Sequence, residues 1–140
     1  MNFDDKVNSL LAGLANNLNQ PPVVLDESSR ASMVVRHCSI FFSPSECRQY
    51  LLCQTPITNL PKGANRGAIL RMMAASNYSS SGMGGILGID KDTDVVWLTF
   101  RLKYERENPE SFLKFIAIQT GLAEYWQKTI NLPQELEFVV

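Results

Sequence analysis

Apolar residues recur near the start of the chain at intervals of three and four: Phe3, Val7, Leu10, Leu11, Leu14 and Leu18. That spacing puts them on one stripe of a helix, with Asp4 and Asp5 in the first turn, where the helix dipole favours acids. Pro21 and Pro22 stop it. Beyond them "VVLD" reads as a short strand, and "SMVVRHCSIFF" (32–42) as a longer one with Val34, Cys38, Ile40 and Phe42 on one face. "SPSE" supplies a turn, "CRQYLLCQT" a third strand, and the two prolines of "PITNLP" should end its pairing. Residues 63–76 have the small and unbranched composition of a second helix, weakened at its start by two glycines. "GILGID" and "DVVWLTFRLK" then form a hairpin, with Val96, Leu98, Phe100 and Leu102 alternating against Val95, Trp97, Thr99 and Arg101. The last helix is capped by Asn108, starts with Pro109 and carries Phe112, Phe115, Ile116, Leu122, Trp126 and Ile130 on its apolar stripe. The order is helix, three strands, helix, two strands, helix. Such segregation predicts an α+β fold with a mainly antiparallel sheet and helices packed on it, not βαβ winding.

The chain has 140 residues, which fits one domain over 1–131 with a C-terminal tail at 132–140. Thirteen basic residues stand against fourteen acidic ones and are scattered, so no phosphate-tracking stripe points to a nucleic-acid partner. No run approaches the ~18 apolar residues of a membrane span, and the acidic, interrupted N-terminus does not resemble a signal peptide. Cys38, Cys47 and Cys53 are odd in number and lack CxxC spacing, so reduced thiols in a cytoplasmic compartment are the simpler expectation.

Four places invite a chemical reading, and each has a blander one. The glycines of "SSSGMGGILGID" (79–90) do not fit GxGxxG, lack a P-loop lysine, and follow a helix where a phosphate cradle would precede one. They read as a connector. His37 beside Cys38 suggests a thiol and its base, but neighbours in a strand point to opposite faces. Asp90, Asp92 and Asp94 alternate as in a calcium loop but without its glycine and final glutamate, which leaves a charged turn. Glu105 and Glu107 lie in a polar connection with no sign of burial, so nothing there suggests a general acid. With one histidine in the chain, no histidine-rich metal site is available. No motif therefore calls for catalysis, a metal or a cofactor, and the weight falls on a protein that works by binding.

The order of four segments is more informative: "YLLCQTPITNLP", "ILRMMAASN", "GGILGIDKDTDVVWLTFRL" and "SFLKFIAIQTGLAEYWQ". Together they resemble the Tir-chaperone-like family of type III secretion chaperones. The resemblance rests on Leu60 and Pro61 closing a strand, Asn77 ending a helix, Gly85 leading a strand that ends in Ile89 and Asp90, and Phe115 and Trp126 in the last helix. It implies a cytoplasmic homodimer from a Gram-negative bacterium, without cofactor or catalysis, that binds the N-terminal segment of a secreted effector for delivery to the secretion ATPase. It also implies that helix 63–76 forms much of the two-fold interface, with Ile69, Leu70 and Met73 as contacts; the alternative is that these residues only cover the sheet of their own chain.

For client contact the expected residues are Leu10, Leu11 and Leu14 of the first helix and Val23, Leu25, Val34 and Ile40 of the strands, because apolar strands beside an amphipathic helix can leave a groove. Such a groove would hold an extended client by apolar burial and by backbone pairing at a strand edge. The alternative that these side chains are core stays open, as does a small α+β enzyme or a ligand-binding or regulatory domain.

Overall fold

In the computed structural model, residues 2–78 and 84–132 are described. Stretch 79–83 of the glycine connector and tail residues 133–140 lie outside them. Helix α1 (Phe3–Asn17) starts where the Asn2 side chain accepts the Asp5 amide at 2.8 Å, and it buries Phe3, Val7, Leu10, Leu11, Leu14 and Ala15. Each large side chain fully withdrawn from water contributes about 1.5–3 kcal/mol. The helix ends with Asn19 in the left-handed region at φ 54°, while the Gln20 amide donates to the Ala15 carbonyl at 2.9 Å and the Asn19 amide to that of Asn16 at 3.3 Å. That pair of bonds is a Schellman closure, whose left-handed position is usually glycine and sometimes, as here, asparagine.

Five strands follow: β1 (Ala31–Val35), β2 (Cys38–Pro44), β3 (Leu51–Asn59), β4 (Ile86–Ile89) and β5 (Val95–Leu102). They form one antiparallel sheet in the order β1-β2-β3-β5-β4. Helix α2 (Asn65–Tyr78) packs on β4, and α3 (Pro109–Ile130) lies across β3 and against α1. The inner sheet face presents Met33, Val35, Ile40, Phe42, Leu51, Cys53, Leu87, Val96, Leu98 and Phe100 to the helices, all of them buried.

The expected α+β order holds, but the strands before α2 are divided differently. Segment 23–26 forms no strand. The expected single strand 32–42 is instead a hairpin, turned by Arg36 and His37 at φ 51° and 70°. Two positive-φ residues are what a two-residue type I′ turn requires, and neither is the usual asparagine or glycine. The turn also resets the phase of the alternation. Met33 and Val35 share the inner face with Ile40 and Phe42, and Val34 points the other way. In β3, Pro56 does not end the strand. It pairs with Trp97 of β5, with a register irregularity before Thr58. On its other side the β2–β3 ladder stops at Gln54, as expected next to a residue without an amide hydrogen.

The capping of α3 is as expected, with the Asn108 and Ser111 side chains closing a reciprocal capping box. Phe112, Ile116, Trp126 and Ile130 are buried, Phe115 and Leu122 half-buried. Gln119, fully buried, shares that stripe. Its amide donates to the Cys53 carbonyl at 3.1 Å and to the Thr55 hydroxyl at 3.0 Å, beside the point where the β2–β3 ladder ends.

Gly85 shows what the glycine connector does at its described end. A Cβ there would stand 2.7 Å from Phe100 Cζ and 3.0 Å from Leu98 Cδ1. Phe100 cannot retreat, because its ring meets Phe115 edge-on at 5.3 Å. Gly85→Ala is therefore expected to cost about 1–3 kcal/mol by overpacking, read as a lower urea midpoint with unchanged slope; a variant as stable as the parent would show that Phe100 has room to move.

Candidate functional site

In a five-stranded antiparallel sheet with helices on one face, the other face normally meets water through polar side chains. Here much of it is apolar. Its positions are Ser32 and Val34 of β1, Phe41 and Ser43 of β2, Leu52, Gln54 and Pro56 of β3, Trp97, Thr99 and Arg101 of β5, and Ile86 and Gly88 of β4. Val34 is 57% exposed, Phe41 43% and Ile86 58%. The Phe41 and Trp97 rings meet edge-on at 5.8 Å across β3. Trp97 and Gln54 together line two shallow recesses. One, of about 340 Å³, is completed by Gly88, Ile89, Asp90 and Thr99; the other, of about 230 Å³, by Arg30, Ala31, Phe41, Phe42 and Ser43. Among the described residues no helix covers this face. The result is an aromatic ridge between two hollows, open along its length.

Helix α2 presents a second apolar surface. It buries Asn65, Ile69 and Met73 and leaves Leu70 at 38% exposure, with Met72 and Tyr78 also exposed. A helix apolar on more than one side lacks the single stripe of a surface helix.

The residues expected to touch a client are differently placed. Leu10, Leu11, Leu14 and Ile40 are fully buried and Leu25 is buried. Val23 is half-buried against the core. In this conformation they have little surface to offer, and the stripe of α1 is spent inside the chain's own core. Of the seven, Val34 is the one exposed. Of the three α2 residues, Ile69 and Met73 face β4 and Leu70 is exposed. Phe41, Trp97 and Ile86 were not expected. Their signal was in the sequence, as large apolar residues in the outward phase of "SIFF", "GILGID" and "VVWLTF", but it becomes legible only once the inward phase is known.

The chemically suggestive groups do not assemble. His37 is exposed in the hairpin turn. The Cys38 thiol is pushed up by burial and by the nearby Glu124, and the Cys53 thiol more strongly by burial. Cys47, exposed, is lowered chiefly by its contact with the Ser45 hydroxyl. Asp90 accepts the Asp92 amide at 2.9 Å and Asp94 pairs with Arg66 at 3.2 Å, so two of the turn's three carboxylates are engaged. No three His, Cys, Asp or Glu side chains among the described residues gather to hold a metal. No described helix is long and apolar enough to cross a membrane.

The fold has close counterparts. No curated protein matches the sequence. Among solved structures, the ExsC–ExsE complex contains a chain 26% identical to this one, with a TM-score of 0.78 over 93% of this chain and 97% of that one. The HopA1–SchA chaperone–effector complex follows at 15% identity and TM-score 0.73, covering 89% and 95%. The Yersinia pestis type III secretion chaperone SycH, in complex with a stable fragment of YscM2, gives 18% identity and TM-score 0.63, covering 85% and 95%. The family model of the Tir chaperone protein matches residues 9–127, a span that holds α2, all five strands, and most of α1 and α3. By that match, this chain belongs to the Tir chaperone protein (CesT) family.

Proposed function

We propose that this chain is a type III secretion chaperone that works by binding alone. It holds the N-terminal segment of one or more secreted effectors in the cytoplasm of a Gram-negative bacterium and keeps it competent for delivery to the secretion ATPase. The observation that carries the reading is the uncovered apolar sheet face around Phe41 and Trp97. Exposed apolar patches of this kind mark surfaces that meet another chain. A shallow, open trough suits an extended segment that lays side chains in successively and is ordered only as it binds. That ordering costs about 2–5 kcal/mol of the gross interaction, which leaves the complex separable during export. The likeness to chains solved in complexes with partners supports it, the HopA1–SchA chaperone–effector complex among them.

The protein acts as a homodimer in this reading, with Leu70 at the two-fold and Ile69 and Met73 fixing α2 on its own sheet. A dimer of about 31 kDa, twice 15.7 kDa, is expected by light scattering. Leu70→Glu is expected to give a folded monomer; a monomeric parent would end the homodimer reading, and a variant that stays dimeric would move the interface off α2.

The test of function is co-expression with effectors encoded nearby. Their N-terminal ~100 residues should become soluble and protease-resistant only in the presence of this chain. If no such segment is protected, the chaperone reading is lost.

A further inference from the structure

Among the described residues the sheet has two edge strands, β1 and β4, and each carries a side-chain carboxamide on its backbone. On β4 the hairpin register turns the amide and carbonyl of Leu87 away from β5. The Asn77 side chain meets both: its Oδ1 accepts the Leu87 amide at 2.8 Å and its Nδ2 donates to the Leu87 carbonyl at 2.7 Å. This is the bond pair that an added strand would make. Asn77 stands four residues after Met73 and eight after Ile69, so the face of α2 that packs on β4 ends in a group shaped like a peptide unit.

The β1 edge is closed less completely. The Arg36–His37 turn makes Val35 and Cys38 the first bonded pair, which turns Ser32 and Val34 outward. The Gln20 Nε2 donates to the Val34 carbonyl at 2.9 Å. Among the described residues, the Val34 amide and both backbone groups of Ser32 have no partner. Gln20 is held at this edge by the Schellman closure of α1. An edge strand left open is a template for pairing with another chain.

We propose that these two carboxamides decide where an extended backbone joins the sheet: Asn77 seals the β4 edge, and Gln20 is a single-bond latch on the β1 edge that an incoming client strand displaces. The inference rests on the chaperone reading for its occupant, an extended peptide backbone beside exposed Val34, but not for the seal itself. Two bonds in the plane of the sheet, made by a residue on a packed helix face, must both break before a strand can enter at Leu87. One bond from the start of a loop must break at Val34, and Ser32 already offers a free donor and acceptor.

The seal is tested without a client. By site-resolved hydrogen exchange on the whole protein, Asn77→Ala should release the Leu87 amide at least about fivefold faster, the worth of one net hydrogen bond. Asn77→Asp, which keeps the acceptor but not the donor, should release it less. Equal exchange of Leu87 in parent and Asn77→Ala would overturn the seal. The latch is tested with the N-terminal ~100 residues of a neighbouring effector as probe. Binding should slow exchange at Ser32 and Val34 and leave Leu87 unchanged, and Gln20→Ala should bind the probe about fivefold more tightly, since one bond no longer has to be displaced. Protection at Leu87 instead, or weaker binding by Gln20→Ala, would overturn the edge assignment while leaving the chaperone reading intact. Failure of every effector segment to bind would sink the chaperone reading and the latch together, and leave the Asn77 result standing.

Discussion

Gln119→Glu is expected to destabilise the protein by about 3–5 kcal/mol at pH 7.5 and by much less near pH 4.5, the range expected for an uncompensated buried charge. Gln119 is 0% exposed. Its donor group faces the Cys53 carbonyl and the Thr55 hydroxyl, and its Oε1 has no partner among the described residues. A carboxylate has no hydrogen to give the Cys53 carbonyl and would place two oxygens where one is already unsatisfied. Burial without a cation raises a carboxyl pKa in the folded state above its unfolded value of about 4.3. The folded variant then binds its proton more tightly than the unfolded chain. Below the unfolded pKa both states are protonated and the penalty is small. As pH rises through the window up to the folded pKa, the unfolded chain ionises first and stability falls. Urea denaturation of parent and variant at both pH values checks this. A stability difference that does not change with pH would mean that the new carboxylate reaches water. Gln119→Met, which removes the orphaned acceptor along with the donor, should cost far less than Gln119→Glu.

Phe41→Asp should abolish capture of an effector segment, lowering affinity about 100-fold or more while the fold persists. Aromatic residues at the centre of an interface commonly carry 2–4 kcal/mol or more of its energy. Phe41 is edge-on to Trp97, at the wall of one of the two recesses. A carboxylate there replaces an apolar contact with a charge that loses its water on binding. Because Phe41 is exposed on the outer face, the folded chain should keep most of its stability. The control is Tyr125→Asp. Tyr125 is also exposed, but it lies on α3, which covers the opposite side of the sheet, and the variant should bind as the parent does. Titration of a labelled effector segment reads both. Unchanged binding by Phe41→Asp together with loss in Tyr125→Asp would move the client surface to the helical side.

Local signals carried much of the architecture. The stripe of α1, the β4–β5 hairpin and the Asn108 cap of α3 are each written in residues close together in the chain, so their physics can be read locally. The first hairpin was harder because Arg36 and His37 adopt positive φ without the usual turn residues. That hid a phase reset and placed Val34 on the wrong side of the sheet. Gln119 lies on the apolar stripe of α3, yet nothing nearby in sequence marks it as a partner for Cys53 and Thr55, more than sixty residues away.

The binding surface shows the division most clearly. Apolar content, helix stripes, strand alternation and the ordered segments that carry the family likeness follow from side-chain chemistry and spacing alone, and with them the α+β class and a protein suited to binding. Which apolar residues remain exposed does not follow. Burial depends on what packs against each face, and α1 and α3 both choose the inner one. That choice consumes Leu10, Leu11, Leu14 and Ile40 and leaves Phe41 and Val34 open, with Trp97 meeting Phe41 across β3. The closing of the β4 edge by Asn77 belongs to the same class, since a carboxamide can stand in for a strand only after α2 has been laid against β4.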